Sequence, residues 1–142
     1  MGARTVGREC GLMILFGVEA DPAAHADGRR AARDFFLHLA PGSDIAADEE
    51  ARAYAEEIAF GVVSELEKLD ELIKKCSANW RLERMSRVDR NVLRIGAWEL
   101  SHGVPRAVVI DEAVELGKKF GSETSGAFVN GVLTPIADLV SK

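Results

Sequence analysis

The sequence has no long apolar run. No stretch approaches the roughly 20 apolar residues that a membrane-spanning helix needs. The first ten residues also lack the uninterrupted apolar segment and the cleavage site of a signal peptide. We therefore expect a soluble, cytoplasmic protein. Its 142 residues, 47% of them hydrophobic, suit one compact domain or two small bundles with a common core, and they exclude a disordered or fibrous chain.

Cysteine is scarce, and the histidines are scattered. The two cysteines, Cys10 and Cys76, each lie among apolar residues at helical spacing, so buried thiols are a better interpretation than a disulfide or a metal-binding pair. The three histidines show no spacing typical of metal ligands. We therefore expect neither a metal site nor a cofactor.

Motifs of the common enzyme classes are also missing. The sequence contains no glycine-rich phosphate loop, no Gly-x-Ser-x-Gly elbow, no His-Glu-x-x-His and no histidine at readable spacing from a nucleophile. Glu99 falls on an apolar helical face with arginines nearby, which could indicate a catalytic carboxylate. A structural ion pair with an arginine explains it better, because an unpaired buried carboxylate is costly. We expect the protein not to be an enzyme.

No segment alternates with the period of a β-strand, and no turn has the context of a β-hairpin. The apolar residues instead recur at helical spacing, which predicts an all-α fold of about seven helices. Short turns between them favour two small bundles within one domain, residues 1–142. We place the subdomains at residues 1–77 and 78–142, with the first helix shared between them.

Several local signals predict where helices begin, bend or end. Ser86 and Asp89 have the spacing of a capping box, which predicts a helix over residues 86–100. Ser122 or Thr124 should cap the last helix, and Pro135 should kink or end it. A long helix should run from about Asp48 to Cys76, with a possible kink near Gly61 or between Leu69 and Leu72.

Two glycines in the first helix suggest a tight helix contact. Gly7 and Gly11 lie one turn apart within residues 3–19, and each costs about 1 kcal/mol of helix propensity. That cost makes sense if another backbone approaches closely at these positions.

The formal charge of −5 hides a strong asymmetry along the chain. Residues 31–73 carry 3 basic and 11 acidic side chains, whereas residues 74–94 carry 7 basic and 2 acidic ones. Either block alone is more often a solvated helix face than a binding site. Together they mean that an acidic protein has one local basic region that could attract a polyanion.

Three segments resemble, in order and spacing, the NusB family of bacterial transcription antitermination factors. They are Arg-Val-Asp-Arg-Asn-Val-Leu-Arg-Ile-Gly-Ala-Trp-Glu-Leu (87–100), Val-Pro-Arg-Ala-Val-Val-Ile-Asp-Glu-Ala-Val-Glu-Leu-Gly-Lys-Lys-Phe-Gly (104–121) and Phe-Val-Asn-Gly-Val-Leu (128–133). The Arg-Glu-Cys at residues 8–10 also sits where the first helix of that family begins.

The resemblance implies an all-helical fold of two bundles and binding to the boxA element of nascent RNA. It also implies a heterodimer with the ribosomal small-subunit protein called NusE. In the family this complex joins RNA polymerase in antitermination, notably on ribosomal RNA operons.

An acidic RNA-binding protein needs basic and hydrogen-bonding groups gathered on a local surface. Phosphate contacts are predicted for Arg4 and Arg8 of the first helix, for the arginines of residues 81–94, which we call the basic stripe, and for the free amides that open the last helix at residues 122–125. Phe128 is a candidate platform for stacking a base, although its place on an apolar face also fits core packing. Arg8 could equally belong to a solvated helix start. The predicted RNA-binding residues are Arg4, Arg8, Arg84, Arg87, Arg90, Ser122, Thr124, Ser125 and Phe128.

Two alternatives stay open. One is a homodimer whose interface masks the RNA-binding face, which is compatible with RNA binding by the monomer. The other is an RNA-binding module related to the N-terminal domains of RNA methyltransferases, which the length of the chain disfavours because no residues remain for a cofactor domain.

Overall fold

The computed structural model describes residues 2–23, 27–42, 45 and 47–141. Over these ranges the chain forms seven α-helices and no strand, which confirms the all-α prediction. The helices are α1 (Ala3–Ala20), α2 (Gly28–Asp34), α3 (Glu49–Ser64), α4 (Leu66–Cys76), α5 (Arg87–Ser101), α6 (Arg106–Phe120) and α7 (Ser125–Val140). None of the helices so described is long and apolar enough to cross a membrane.

The chain divides into two compact units, Met1–Ser64 and Glu65–Lys142. This division comes earlier than the subdomain boundary we placed near residue 77. The helix expected from Asp48 to Cys76 is interrupted at Glu65, whose φ of −112° and ψ of 20° leave helical geometry. The break lies between the two kink positions suggested by the sequence. Beyond it, α4 packs against α5 and α7. That α1 is shared by both bundles stays a prediction.

In the first unit, α3 packs along α1 and α2. A Cβ added at Gly7 would lie only 3.0 Å from the carbonyl oxygen of Ala51, so the backbones of α1 and α3 meet closely there. One turn on, Gly11 faces the side chain of Ile58. The close backbone approach predicted from the paired glycines is confirmed at Gly7. At Gly11 the close neighbour is a side chain.

The short second helix is tied to α3 in the same way. Asp27 caps α2 by accepting a hydrogen bond from the backbone N–H of Arg29 at 3.0 Å. Gly28 then sits so close to α3 that an added Cβ would overlap the carbonyl of Ala59 and lie 2.7 Å from the nitrogen of Phe60. Only a residue without a side chain fits this contact.

In the second unit, α5 is surrounded by α4, α6 and α7. Its residues 91–100 are all buried apart from Arg94, which is partly exposed. The helix begins as predicted, because the Ser86 hydroxyl accepts a hydrogen bond from the Asp89 N–H at 3.1 Å. Glu99 is only 1% exposed, in keeping with a structural role. Its pairing with an arginine stays a prediction.

Pro135 does not end α7, contrary to one of the two outcomes we allowed. The helix continues to Val140. Proline has no N–H to give to the preceding turn. The carbonyl that loses its donor is that of Gly131, and one residue earlier the hydroxyl of Thr134 donates to the carbonyl of Asn130 at 2.9 Å.

Both cysteines are free thiols, as predicted. Cys10 is fully buried, and burial raises the pKa of its thiol to about 11. Cys76 is half-buried, and burial raises the pKa of its thiol too.

Two glycine substitutions test the packing of the first unit. Gly28→Ala should lower the free energy of unfolding by about 1–3 kcal/mol, because the new methyl group overlaps the backbone of α3. Gly17→Ala should raise it by about 0.5–1 kcal/mol, because a Cβ at Gly17 meets nothing within 4 Å and alanine favours the helix. Urea titration followed by circular dichroism measures both. Equal effects of the two changes would contradict the close contact at Gly28.

Candidate RNA-binding surface

The two predicted arginines of α1 have different environments. Arg4 is exposed, and its guanidinium lies over the ring of Tyr54 from α3, 4.4 Å from the ring centroid. Arg8 is only 3% exposed, 5.5 Å from the same centroid. A buried guanidinium cannot meet a phosphate without leaving its site. Of the two arginines, only Arg4 is exposed in this structure, and RNA contact by Arg4 and Arg8 stays a prediction.

In the second unit, an aromatic pair joins a loop to a helix start. Trp80 lies in the turn after α4, and Phe128 lies in the first turn of α7. Their rings meet edge to face, with centroids 5.8 Å apart and planes at 78°. Phe128 is half-buried and the Trp80 side chain is 62% exposed. The Phe128 side chain is thus partly packed and partly accessible, and its role as a stacking platform stays a prediction.

A cavity of about 510 Å³ opens beside this pair. It lies where the loop before α5 faces the start of α7, and it brings together three of the predicted residues, Arg84, Thr124 and Phe128. The residues that line it are Trp80, Arg84, Met85, Ser86, Asp89, Thr124, Ala127 and Phe128. Its volume lies within the roughly 300–1,000 Å³ of small-molecule sites.

Asp89, one of the residues that line the cavity, has a carboxylate oxygen without a hydrogen-bond partner among the described residues. This atom, Oδ1, is buried. Such an atom costs about 1–3 kcal/mol or more when it is left unpaired. Sequence reasoning used Asp89 only as a helix-start residue and passed over Trp80. The one signal available in the sequence was a tryptophan close to the basic residues Arg81 and Arg84.

The basic stripe is only partly at the surface. Arg84 and Arg87 are exposed. Arg90 is half-buried, and its Nη1 donates to the carbonyls of Met85 at 2.9 Å and Leu82 at 3.4 Å. It therefore helps to fix the loop that lines the cavity, and direct contact of Arg90 with RNA stays a prediction.

Arg94, farther along the same stripe, forms an ion pair with a residue of α4. Its Nε and Nη2 donate to the two carboxylate oxygens of Asp70 at 2.8 and 3.1 Å, a bidentate pair with both side chains largely buried. This arginine is therefore part of the packing between α4 and α5.

The start of α7 uses its own hydroxyl groups. Thr124, one of the two predicted cap residues, occupies the N-cap position but makes no side-chain cap bond. Ser125 is buried, and its Oγ accepts from the Ser122 N–H at 2.9 Å, while the Ser125 N–H donates to the Ser122 carbonyl. Two of the amides that we expected to be free are thus occupied. The hydroxyls of Ser122 and Thr124 lie at the surface, 3.1 Å apart.

Within the described ranges, no three His, Cys, Asp or Glu side chains are placed so that they could hold a metal ion. One arginine and one carboxylate beside an aromatic pair, as in the larger cavity, are groups that bind planar, hydrogen-bonding ligands attached to phosphates.

Comparison with known proteins gives consistent results. The model of the NusB family matches residues 5–138. A transcription antitermination protein NusB from Sorangium cellulosum is 56% identical over 140 residues, covering 97% of this chain and 94% of its own. A structure of T. maritima NusB superposes with a TM-score of 0.75 at 34% identity, covering 97% of this chain and 92% of that one. A crystal structure of antitermination factors NusB and NusE in complex with dsRNA matches with a TM-score of 0.79 at 26% identity, covering 98% of each chain.

Proposed function

Because the chain belongs to the NusB family, we propose that it is a transcription antitermination factor that binds boxA RNA as a heterodimer with NusE. In this proposal the complex joins RNA polymerase on ribosomal RNA operons. The observation that carries the RNA-binding part is the cavity beside Trp80 and Phe128, with Arg84 and an unsatisfied Asp89 in its wall.

The cavity suits an unpaired base better than a duplex. Single-stranded RNA is read by stacking bases on aromatic side chains and by hydrogen bonds to their edges. Phe128 and Trp80 supply ring surface, and the exposed hydroxyl of Thr124 supplies a donor and an acceptor. A base inserted here would gain stacking energy of about 1–3 kcal/mol.

The two charged residues of the cavity suit different parts of a nucleotide. Asp89 would repel a phosphate but accepts hydrogen bonds from the amino or imino groups of a base. Arg84, exposed at the same cavity, is suited to the adjoining phosphate. Bases with an exocyclic amino group should therefore be preferred at this position.

The acidic part of the chain suits a basic protein partner. Glu49, Glu50 and Glu57 of α3 are exposed, as are Glu67 and Glu71 of α4. These carboxylates repel RNA and attract a positively charged surface. NusE, as a ribosomal protein, is expected to be basic, so it would add positive charge and screen these acids.

The stacking role predicts a specific loss on truncation of Phe128. Phe128→Ala should weaken binding of a boxA-type RNA about 5- to 100-fold, the equivalent of one stacked base. Phe128→Tyr keeps the ring and should bind nearly as wild type. Fluorescence anisotropy with labelled RNA measures the affinity, and thermal melting confirms folding. Phe60→Ala removes an exposed ring of the first unit and serves as the control. An equal loss in the Phe60 variant would argue against the cavity.

Arg4 and Arg8 should contribute differently to the salt dependence of RNA binding. Arg4→Ala removes one exposed cation, so the slope of log affinity against log salt should become shallower by about 0.7–0.9. Arg8→Ala removes a buried side chain and should lower the melting temperature while leaving the slope unchanged. Filter binding at several salt concentrations tests both. A shallower slope for Arg8→Ala alone would reverse the assignment.

The partner role predicts that the heterodimer binds RNA more tightly than this chain alone. At about 0.15 M salt, screening over roughly 8 Å leaves nearby charges effective, so added positive charge should raise affinity. Native mass spectrometry, with and without RNA and NusE, measures the species present and would also detect a homodimer. Equal affinity of the single chain and the heterodimer would refute this division of labour.

A further inference from the structure

A second cavity, of about 310 Å³, adjoins the aromatic pair. It shares Trp80, Ala127 and Phe128 with the larger cavity. We call the larger cavity the first compartment and the smaller one the second compartment. The second compartment is lined by Cys76, Ser77, Ala78, Asn79, Trp80, Ala127, Phe128, Gly131 and Val132. The two rings therefore stand in the wall of both compartments, and Trp80 presents most of its surface to solvent.

The turn that carries Trp80 is fixed before any ligand arrives. The backbone N–H of Trp80 donates to the carbonyl of Ser77 at 2.8 Å. The buried Ser77 hydroxyl in turn donates to the carbonyl of Ile73 at the end of α4, at 2.7 Å. An exposed indole on a rigid turn loses little further freedom when a flat ring stacks on it.

The chemistry of the second compartment fits a base. Of the described residues that line it, none carries a charge, so it offers no cation to a phosphate. Asn79 is exposed and can both donate to and accept from the edge of a base. A Cβ added at Gly131 meets nothing within 4 Å, so the space above this part of α7 is open.

We propose that Trp80 separates two consecutive nucleotides, one base in the first compartment and the neighbouring base in the second. This inference rests on the proposed function and names how its RNA is held. Asp89 and Arg84 act in the first compartment, whereas Asn79 and the floor at Gly131 act in the second.

Alkylation of Cys76 reports directly on the second compartment. In the free protein, iodoacetamide should modify the half-buried Cys76 and spare Cys10, which is fully buried and serves as an internal reference. A saturating boxA-type RNA should slow the modification of Cys76, as measured by peptide mass spectrometry. In Trp80→Ala the protection should be lost even at RNA concentrations that keep the protein saturated.

A larger side chain at Gly131 would fill the second compartment, which tests its role without changing Trp80 or Phe128. Gly131→Leu should weaken RNA binding about 5-fold or more, as expected for one displaced stacked base. Gly17→Leu is the matched control, because Gly17 is also a helical glycine with nothing within 4 Å of an added Cβ, and it lines neither compartment.

The outcomes separate this inference from the proposed function. If RNA binds with a dependence on Phe128 but leaves Cys76 fully reactive, and Gly131→Leu binds as wild type, the second compartment holds no base and only the inference is overturned. If no RNA binds at all, both fail. Protection of Cys76 by NusE alone, without RNA, would assign the compartment to a protein partner and also overturn the inference.

Discussion

The enclosure of α5 is the constraint on which the second unit depends. A helix surrounded by three others can carry a guanidinium only if that group is paired, because an unpaired buried charge costs several kcal/mol. Arg94 meets this requirement through its bidentate contact with Asp70, which ties α4 to α5. The turn with Trp80 follows directly on α4, so the same ion pair helps to hold the indole near the start of α7. The geometry of the candidate site thus follows from the packing of the core.

Around the candidate site, polar groups are mostly satisfied by the protein itself. The Arg90 guanidinium donates to backbone carbonyls, and the amide nitrogen of Asn91 donates to the carbonyl of Arg87 at 2.9 Å. Asp89 differs, because its buried Oδ1 lacks a partner in the described ranges. Trp98 Nε1 is likewise unpaired, but Trp98 lies in the core, against the ring of His102. Asp89 is one of the residues that line the larger cavity, so a ligand there would lie close to its carboxylate, whereas Trp98 lines neither cavity beside the aromatic pair.

Most of the fold could be predicted from local signals in the sequence. Helical spacing, the Ser86 cap and the close contact at Gly7 each depend on residues close in sequence, and each agrees with the structure. The break at Glu65 was misplaced because neither glycine nor proline marks it. Tertiary contacts decide where such a helix break falls, and the periodicity of the sequence does not reveal those contacts.

The candidate site was less predictable than the fold. The basic residues of the stripe look alike in sequence, but their roles differ. Arg84 and Arg87 are exposed at the surface. Arg90 instead donates to backbone carbonyls, and Arg94 pairs with Asp70 of α4. Burial of Arg8 and the meeting of Trp80 with Phe128 come from contacts between distant segments. Periodicity assigns a residue to a helix face but does not reveal which distant residue it will meet.

The contact of Arg4 with Tyr54 has a consequence for the entropy of binding. A free arginine side chain has about 2 kcal/mol of rotamer entropy to lose when a ligand immobilises it. Here the guanidinium already rests on an aromatic ring, so part of that loss was incurred when the protein folded. The ring also shields one face of the cation from water and leaves its edge, with the N–H groups, for a ligand. Such a cation is ordered before it binds, which favours a well-defined contact over a diffuse attraction.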